Sequence, residues 1–332
     1  MTSPDSSSTH SVVLPDGAIH PLAEPYGHEI HHAEKFFEVA LILSPINLRV
    51  QVLSYEVQDP EKGIPLLSVF LIGLAECNAF GKIWVKARSA HRLNFERAGF
   101  RFEGECLAFF ADATNSSFMA YYPLAERLQR PVASLEDRNI LTAEKGTLAE
   151  AIALGTAGIK DRDFFALPKG YSSRLFAPED APILAALYDE IFPTYPYPIN
   201  TPRYLVETAA THILYRLVFN EQGELVAAAS AETDGENKNA EMTDFATLPS
   251  QRGYGLGQYL LQELEKDAAR IYGIRTFYTI ARIASVGVMR IFFKLGYQYK
   301  GTLTNNCTIS GQFETMVLLQ KSERNIPEKN EL

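Results

Sequence analysis

The chain has 332 residues, 46% hydrophobic and 21% charged, which is room for two ordinary domains with real cores. Its net charge is −9 with a pI near 5.4, so no broad basic face is available for nucleic acid or an anionic membrane. Cys77, Cys106 and Cys307 are far apart and odd in number, which speaks against a disulfide framework or zinc site and for reduced thiols in a cytoplasmic protein.

The opening run, MTSPDSSSTHSVVLPDGAIHP, is polar, with no cationic stretch and no long apolar core. It reads as a disordered lead-in over residues 1–20, not a signal peptide. Residues 21–123 read as an N-terminal α/β domain. HEIHH (28–32) has the i, i+3, i+4 spacing of a surface helix start, and without a carboxylate motif such as H-E-x-x-H it is not read as a metal site. LRVQVLSYEV (48–57) alternates as a strand. IPLLSVFLIGLAECNAF (64–80) is helical, but Pro65 and Glu76 interrupt it and it is short for a membrane span. KIWVKA (82–87) predicts a strand and SAHRLNFERAG (89–99) a helix ending on glycine. FRFEGECLAFF and SSFMAYYP close the domain as strands.

Residues 124–170 are polar with helical periodicity, a helical connector. A second domain spans 171–320 and leaves a frayed tail at 321–332. Its elements are a strand, a helix entered at Pro178-Glu-Asp180, a proline-aromatic loop FPTYPYPINTPRYL, and a hairpin turning at NEQG. The strand AEMTDFATL follows, then the turn PSQRGYGLG (249–257), a helix to about Tyr272, the strand RTFYTIA, the helix SVGVMRIFFKLG and two last strands. The stretches 78–105 and 270–302 both run helix end, glycine, strand, short helix, AGF or LGY, then strand. The two halves therefore read as weak repeats, of which only the second has the glycine turn.

Strand, R-x-x-G-x-G, then helix is a phosphate-holding arrangement: glycine lets backbone N–H groups approach an anion, and the helix adds free donors and a positive dipole end. The dinucleotide fingerprint fails because its third glycine falls on Gln258, and no G-x-x-x-x-G-K-[ST] string occurs. Residues 171–320 resemble the GNAT superfamily of acetyl-CoA-dependent N-acetyltransferases, in the order DFATLP, RGYGLG, helix, FYTIA, FFKLGY. FPTYPYPI (192–199), NAEMTDFATLP (239–249), YTIARIAS (278–285) and GTLTNNCTISGQFETM (301–316) together resemble the beta-lysine N-acetyltransferase family, as does the N-terminal domain.

The resemblance implies an α/β (α+β) fold with a mixed central sheet flanked by helices and a degenerate GNAT-like first half. It implies that the backbone of Arg252, Gly253, Tyr254, Gly255, Leu256, Gly257 and Gln258 holds the pyrophosphate of acetyl-CoA. Phe245, Ala246 and Thr247 would pair with pantetheine, as a peptide pairs with an open strand edge. Family members acetylate the ε-amine of beta-lysine to give a compatible solute. An ε-amine with a pKa near ~10.4 must lose a proton before attack, so a base is needed. Glu241 stands where some GNAT members carry a glutamate base; strand alternation puts 241, 243, 245 and 247 on one face and Asp244 on the other. The N–H of Ala246 or Phe245 is the expected oxyanion donor.

The usual acid tyrosine falls on Phe292, and a usual asparagine of the cofactor site on Ser285. That leaves water or Tyr278 to protonate the leaving thiolate. Arg282 is a candidate carboxylate clamp, Tyr195 and Tyr197 candidate pocket walls, and Asp244 a candidate ammonium partner or structural pair. Asn305, Asn306 and Glu314 are further substrate candidates. Neither a metal nor a nucleic-acid or membrane partner is expected, and a homodimer is left open.

Overall fold

The computed structural model describes residues 10–22, 26–128, 165–283, 285–309 and 311–321. Residues 1–9, most of the expected connector (129–164) and the tail from 322 lie outside them. The chain forms two compact units. The first comprises 1–103, 117–131 and Asn305–Thr308; the second comprises the remainder.

In the first unit His10–Val13 (β1) pairs antiparallel with Ile19–Leu22 (β2) around Gly17, whose φ is 83°. Disorder was expected up to residue 20. The hairpin forms because Val12 is buried and Val13 exchanges hydrogen bonds with the Asn78 side chain, at 2.7 and 3.0 Å. His28–Ala33 (β3) is a strand, which corrects the helical reading of HEIHH: exposure alternates with period two, and His32 stacks on Phe70 at 4.3 Å. No cluster of His, Cys, Asp or Glu arranged for a metal occurs among the described residues.

Phe37–Ser44 (β4), Arg49–Val57 (β5), Pro60–Cys77 (α1), Lys82–Arg88 (β6), Arg92–Arg97 (α2), Arg101–Cys106 (β7), Ser116–Tyr121 (β8) and Ala125–Leu128 (α3) follow. Ile64, Leu67, Leu71 and Leu74 bury one stripe of α1 against the sheet, and no helix among the described residues is long and apolar enough to cross a membrane. Strand order is β3-β4-β5-β6-β8-β7, with β5 and β6 parallel across α1.

The second unit contains Ser172–Leu175 (β9), Ala181–Ile191 (α4), Pro202–Ala209 (α5), Ile213–Phe219 (β10), Leu225–Asp234 (β11) and Asn239–Thr247 (β12). After these come Leu256–Tyr272 (α6), Thr276–Arg282 (β13), Val286–Lys294 (α7), Tyr297–Ile309 (β14), of which Asn305–Thr308 count with the first unit, and Gln312–Lys321 (β15). The order is β9-β10-β11-β12-β13-β15-β14, with β12 and β13 parallel across α6. From β10 onward this repeats the first unit's strand order, element for element, with a helical crossover at the same step. One face of the sheet packs under α6 and α7 through Met242, Phe277, Ala281 and Val317 against Leu260, Leu264, Met289 and Phe292. The other packs under α4 and α5 through Tyr215, Leu217, Ala228 and Ala246 against Leu184, Tyr188 and Leu205.

Candidate active site

Strands β12 and β13 run together only at Asn239–Thr276, Ala240–Phe277 and Glu241–Tyr278. Beyond Glu241 that ladder stops, while the other edge of β12 stays paired to β11 through Thr247. The segment Met242–Thr247 therefore has one edge without a strand partner among the described residues. A β-bulge lies in the same segment: Ser230 faces Thr243, Ala228 faces Ala246, and Asp244 with Phe245 stands opposite Ala229. Asp244 has a left-handed φ of 54°.

The bulge corrects the expected alternation. Ala240 and Met242 pack under α6 and α7, but Ala246 packs under α4 and α5, and Phe245 meets Phe292 of α7 with ring centroids 5.3 Å apart. Glu241 and Phe245 thus do not share a face. Leu248 N–H donates to the Val226 carbonyl at 3.0 Å. Antiparallel alternation then aims the Ala246 N–H at β11 and those of Thr247 and Phe245 at the open edge, so Phe245 rather than Ala246 is the oxyanion candidate.

Past Leu248 a 3₁₀ turn, Pro249–Gln251, leads into the glycine bend. Gly253 (φ 90°) and Gly255 (φ 76°) are left-handed, and a Cβ on either would meet nothing within 4 Å. They serve conformation, not close packing. Gly257 differs: a Cβ there would lie 2.5 Å from Ile291 Cδ1, so this glycine lets α6 and α7 approach. Arg252 N–H closes the 3₁₀ turn on Pro249 at 3.4 Å, whereas the N–H groups from Gly253 to Gln258 have no acceptor among the described residues. The first turn of α6 has no acidic residue and its N-cap supplies no side-chain acceptor. Tyr171 braces the bend from outside, donating to Gln251 at 2.5 Å. Such a row of unclaimed donors at the positive end of a long helix is an anion seat.

On the α4/α5 face the register lines up Glu232, Glu241, Tyr278 and Gln320 across β11, β12, β13 and β15. Like charges directly opposite one another, as Glu232 and Glu241 are, repel unless a cation joins them. Burial, with the nearby Glu241 and Glu232 carboxylates, holds the Tyr278 hydroxyl far above its ordinary pKa. Arg282, two residues beyond Ile280 on the same face, donates to Glu314 at 2.7 Å. Glu314 is nearly buried, and the Arg282 Nε–H is buried with no hydrogen-bond partner among the described residues. Asp244 is buried too; its Oδ1 accepts from Tyr195 and its Oδ2 from Ser230, each at 2.6 Å. Desolvation pushes the Asp244 carboxyl above its usual range against the pull of those donors.

Glu241, Asp244, Tyr195, Arg282 and Glu314 therefore share one face of one sheet, and Tyr197 lies in the packing layer beside Tyr195. Ser285 is the N-cap of α7 and makes no side-chain cap bond. Asn305 and Asn306 go elsewhere. They are buried in the first unit, where Arg127 and Arg49 donate to their main-chain carbonyls at 3.0 and 2.9 Å and the Asn305 side chain donates to the Arg127 carbonyl at 2.7 Å. Ser230, Glu232 and Tyr188 escaped the sequence reading, because only register and helix packing bring them to this face.

An open strand edge thus runs into an uncapped helix head beside a face of carboxylates, so backbone donors and candidate bases meet on one sheet. Residues 184–297 match the model of the acetyltransferase (GNAT) family, and the chain is an acetyltransferase. It is 34% identical over 257 residues to beta-lysine N(6)-acetyltransferase of Methanosarcina mazei, covering 74% of this chain and 93% of that one. Identity to beta-lysine N(6)-acetyltransferase of Methanococcus maripaludis is 32% over 242 residues, 72% and 82% of the two chains. N-acetyltransferase YodP of Bacillus subtilis is 38% identical over 133 residues, 40% of this chain and 48% of that one. The chain belongs to the beta-lysine N(6)-acetyltransferase family.

Proposed function

We propose that the protein transfers the acetyl group of acetyl-CoA to the ε-amine of beta-lysine, giving N-ε-acetyl-beta-lysine, a compatible solute. The observation that carries the reading is the unclaimed row of N–H groups from Gly253 to Gln258, reached directly from the open edge of β12. The donor set suits a diphosphate, and the strand edge suits a ligand arm that carries amides. Acetyl-CoA supplies an activated thioester; the chain supplies seats, a base and a charge pattern.

In this reading Glu241 takes the proton from the amine, directly or through a water, and Glu232 beside it helps draw the ammonium in. The Phe245 N–H, at the open edge, stabilises charge that develops on the carbonyl oxygen. Arg282 keeps one arm on Glu314 and offers the part-exposed remainder of its guanidinium to the substrate carboxylate. The position expected for an acid tyrosine holds Phe292, buried in the α7 core. Burial raises the Tyr278 hydroxyl above its ordinary pKa, which makes it a weaker proton donor to the departing thiolate. The thiolate therefore takes a solvent proton.

The test is incubation of the purified protein with acetyl-CoA and beta-lysine, following free thiol and locating the acetyl group by NMR. Thiol release that depends on both substrates, with the acetyl group on the ε-nitrogen, is expected. Equal or better turnover of a diamine lacking the carboxylate would refute the substrate assignment.

A further inference from the structure

Asp244 is the least ordinary residue of the second unit. It is a buried carboxylate with no ion-pair partner among the described residues. Its backbone is left-handed, a conformation that asparagine and aspartate tolerate better than other side chains. Its neighbours are hydroxyls: Tyr195 and Ser230 at 2.6 Å, Thr243 at 3.4 Å, and the tyrosines Tyr188, Tyr204 and Tyr215, whose hydroxyls burial pushes up in pKa with the Asp244 charge adding to the rise. A lone buried charge is costly unless its oxygens are satisfied, and both of them are.

The two short bonds lead to different places. Tyr195 sits in the loop between α4 and α5, its ring 5.0 Å from that of Phe192; Phe192 N–H donates to the Tyr188 carbonyl of α4, and Ile199 and Thr201 donate to the Tyr197 and Pro198 carbonyls within the loop. Ser230 sits on β11 at the bulge, where the strand phase reverses and Phe245 turns to the α7 side.

We infer that Asp244 is a positioning residue of the transfer site, tying the proline-aromatic loop to the kinked strand so that one carboxylate sets the amine's seat and the thioester's seat together. This rests on the acetyl-transfer reading above. Asp244 touches neither reactant; it acts through Tyr195 on one side and through the backbone of Phe245 on the other.

Two variants of the full chain, Tyr195→Phe and Asp244→Asn, test it by hydrogen exchange and steady-state kinetics. In Tyr195→Phe, exchange should quicken over 192–201 and stay unchanged in β12. The KM for the amine should rise about tenfold, the loss expected for one bond to a charged acceptor, with kcat and the acetyl-CoA KM within about twofold. Asparagine keeps the left-handed backbone but offers one oxygen to two hydroxyls. In Asp244→Asn, exchange should quicken over both 192–201 and 243–248, the amine KM should rise, and kcat should fall about tenfold. The acetyl-CoA KM should hold, because the glycine bend lies outside the linkage. Variants that shift only thermal stability, with exchange and kinetics within about twofold, overturn the inference. If the wild-type protein does not acetylate beta-lysine, the functional reading fails separately, and the exchange pattern alone decides whether Asp244 ties loop to strand.

Discussion

Gly255→Ala asks whether the backbone donors at the head of α6 hold the cofactor. The native residue has φ 76° and ψ 12°, and an added Cβ meets nothing within 4 Å, so the substitution carries no steric penalty beyond the backbone itself. Holding an L-residue in the left-handed region costs about 1–2 kcal/mol. If the bend keeps its shape, that cost lowers the melting temperature by about 2–4 °C per kcal/mol for a unit of this size. If the bend relaxes instead, stability is spared and the fan of N–H groups loses its aim. A hydrogen bond to a charged group contributes about 1.5–3 kcal/mol, so losing one weakens cofactor binding about 10- to 100-fold. Calorimetric titration with coenzyme A, alongside a thermal melt, reads both branches. A combined loss is expected, and Gly255→Asn should fall between wild type and alanine because asparagine tolerates this conformation. Coenzyme A affinity within about twofold of wild type for Gly255→Ala together with an unshifted melt, the branch in which the bend has relaxed, refutes a diphosphate seat at this bend.

Gly257→Ala should destabilise through its clash with Ile291. Adding Ile291→Val, which removes the Cδ1 atom, should recover much of the loss, and simple additivity of the two melts would count against the packing role. Arg282→Lys keeps a charge beside Glu314 but loses the guanidinium fork; kcat/KM for beta-lysine should fall about tenfold and for a carboxylate-free diamine hardly at all. Glu241→Gln should lower kcat about 100-fold or more at unchanged acetyl-CoA affinity, and an unaltered rate removes Glu241 from the base role. The Asp244 carboxyl is raised in the fold, so as pH falls the native state takes up its proton before the unfolded chain does. Stability from this group therefore grows as pH drops through the native value toward 3.8. The melting temperature of wild type relative to Asp244→Asn should rise as pH is lowered from neutrality, and a falling difference would reverse the sign argued here.

Where local chemistry decides the outcome, the sequence was legible. The turn at Asn220–Gly223 forms as expected, with Gly223 left-handed and the Asn220 side chain accepting from Gln222 and Glu224. The strand–turn–helix at 239–272 was equally plain. Tertiary partners decided the misses. HEIHH fits a helix by spacing, yet pairing with β4 and the stacking of His32 on Phe70 make it a strand. The polar lead-in hid a hairpin because its anchor, Asn78, lies 65 residues away from Val13. Strict alternation along AEMTDFATL was undone by one bulge, which nothing in the composition marks except an aspartate able to turn left-handed. Asn305 and Asn306 seemed free for a substrate because their partners, Arg127 and Arg49, are remote in sequence.

The two units share a strand order and a crossover helix after the third strand of the repeat, so topology alone does not confer a cofactor seat. The difference lies at the helix head. At α1 the Asp59 carboxylate accepts from Glu61 N–H at 3.0 Å, and the Asp59 carbonyl accepts from Lys62 and Gly63 at 3.1 and 2.7 Å. Pro60 has no N–H to offer, and Glu61 adds a negative charge to the first turn. An anion arriving there would find the donors engaged and the dipole end already neutralised. At α6 a left-handed glycine replaces the capping side chain, no acid occupies the first turn, and the donors stay open. Side-chain capping stabilises a helix by about 0.5–2 kcal/mol, so α6 forgoes that much stability relative to its counterpart and keeps its N–H groups for a ligand. On this reasoning the second unit is the one that can take a diphosphate, and the first is excluded by a single aspartate at its N-cap and the acid two residues on.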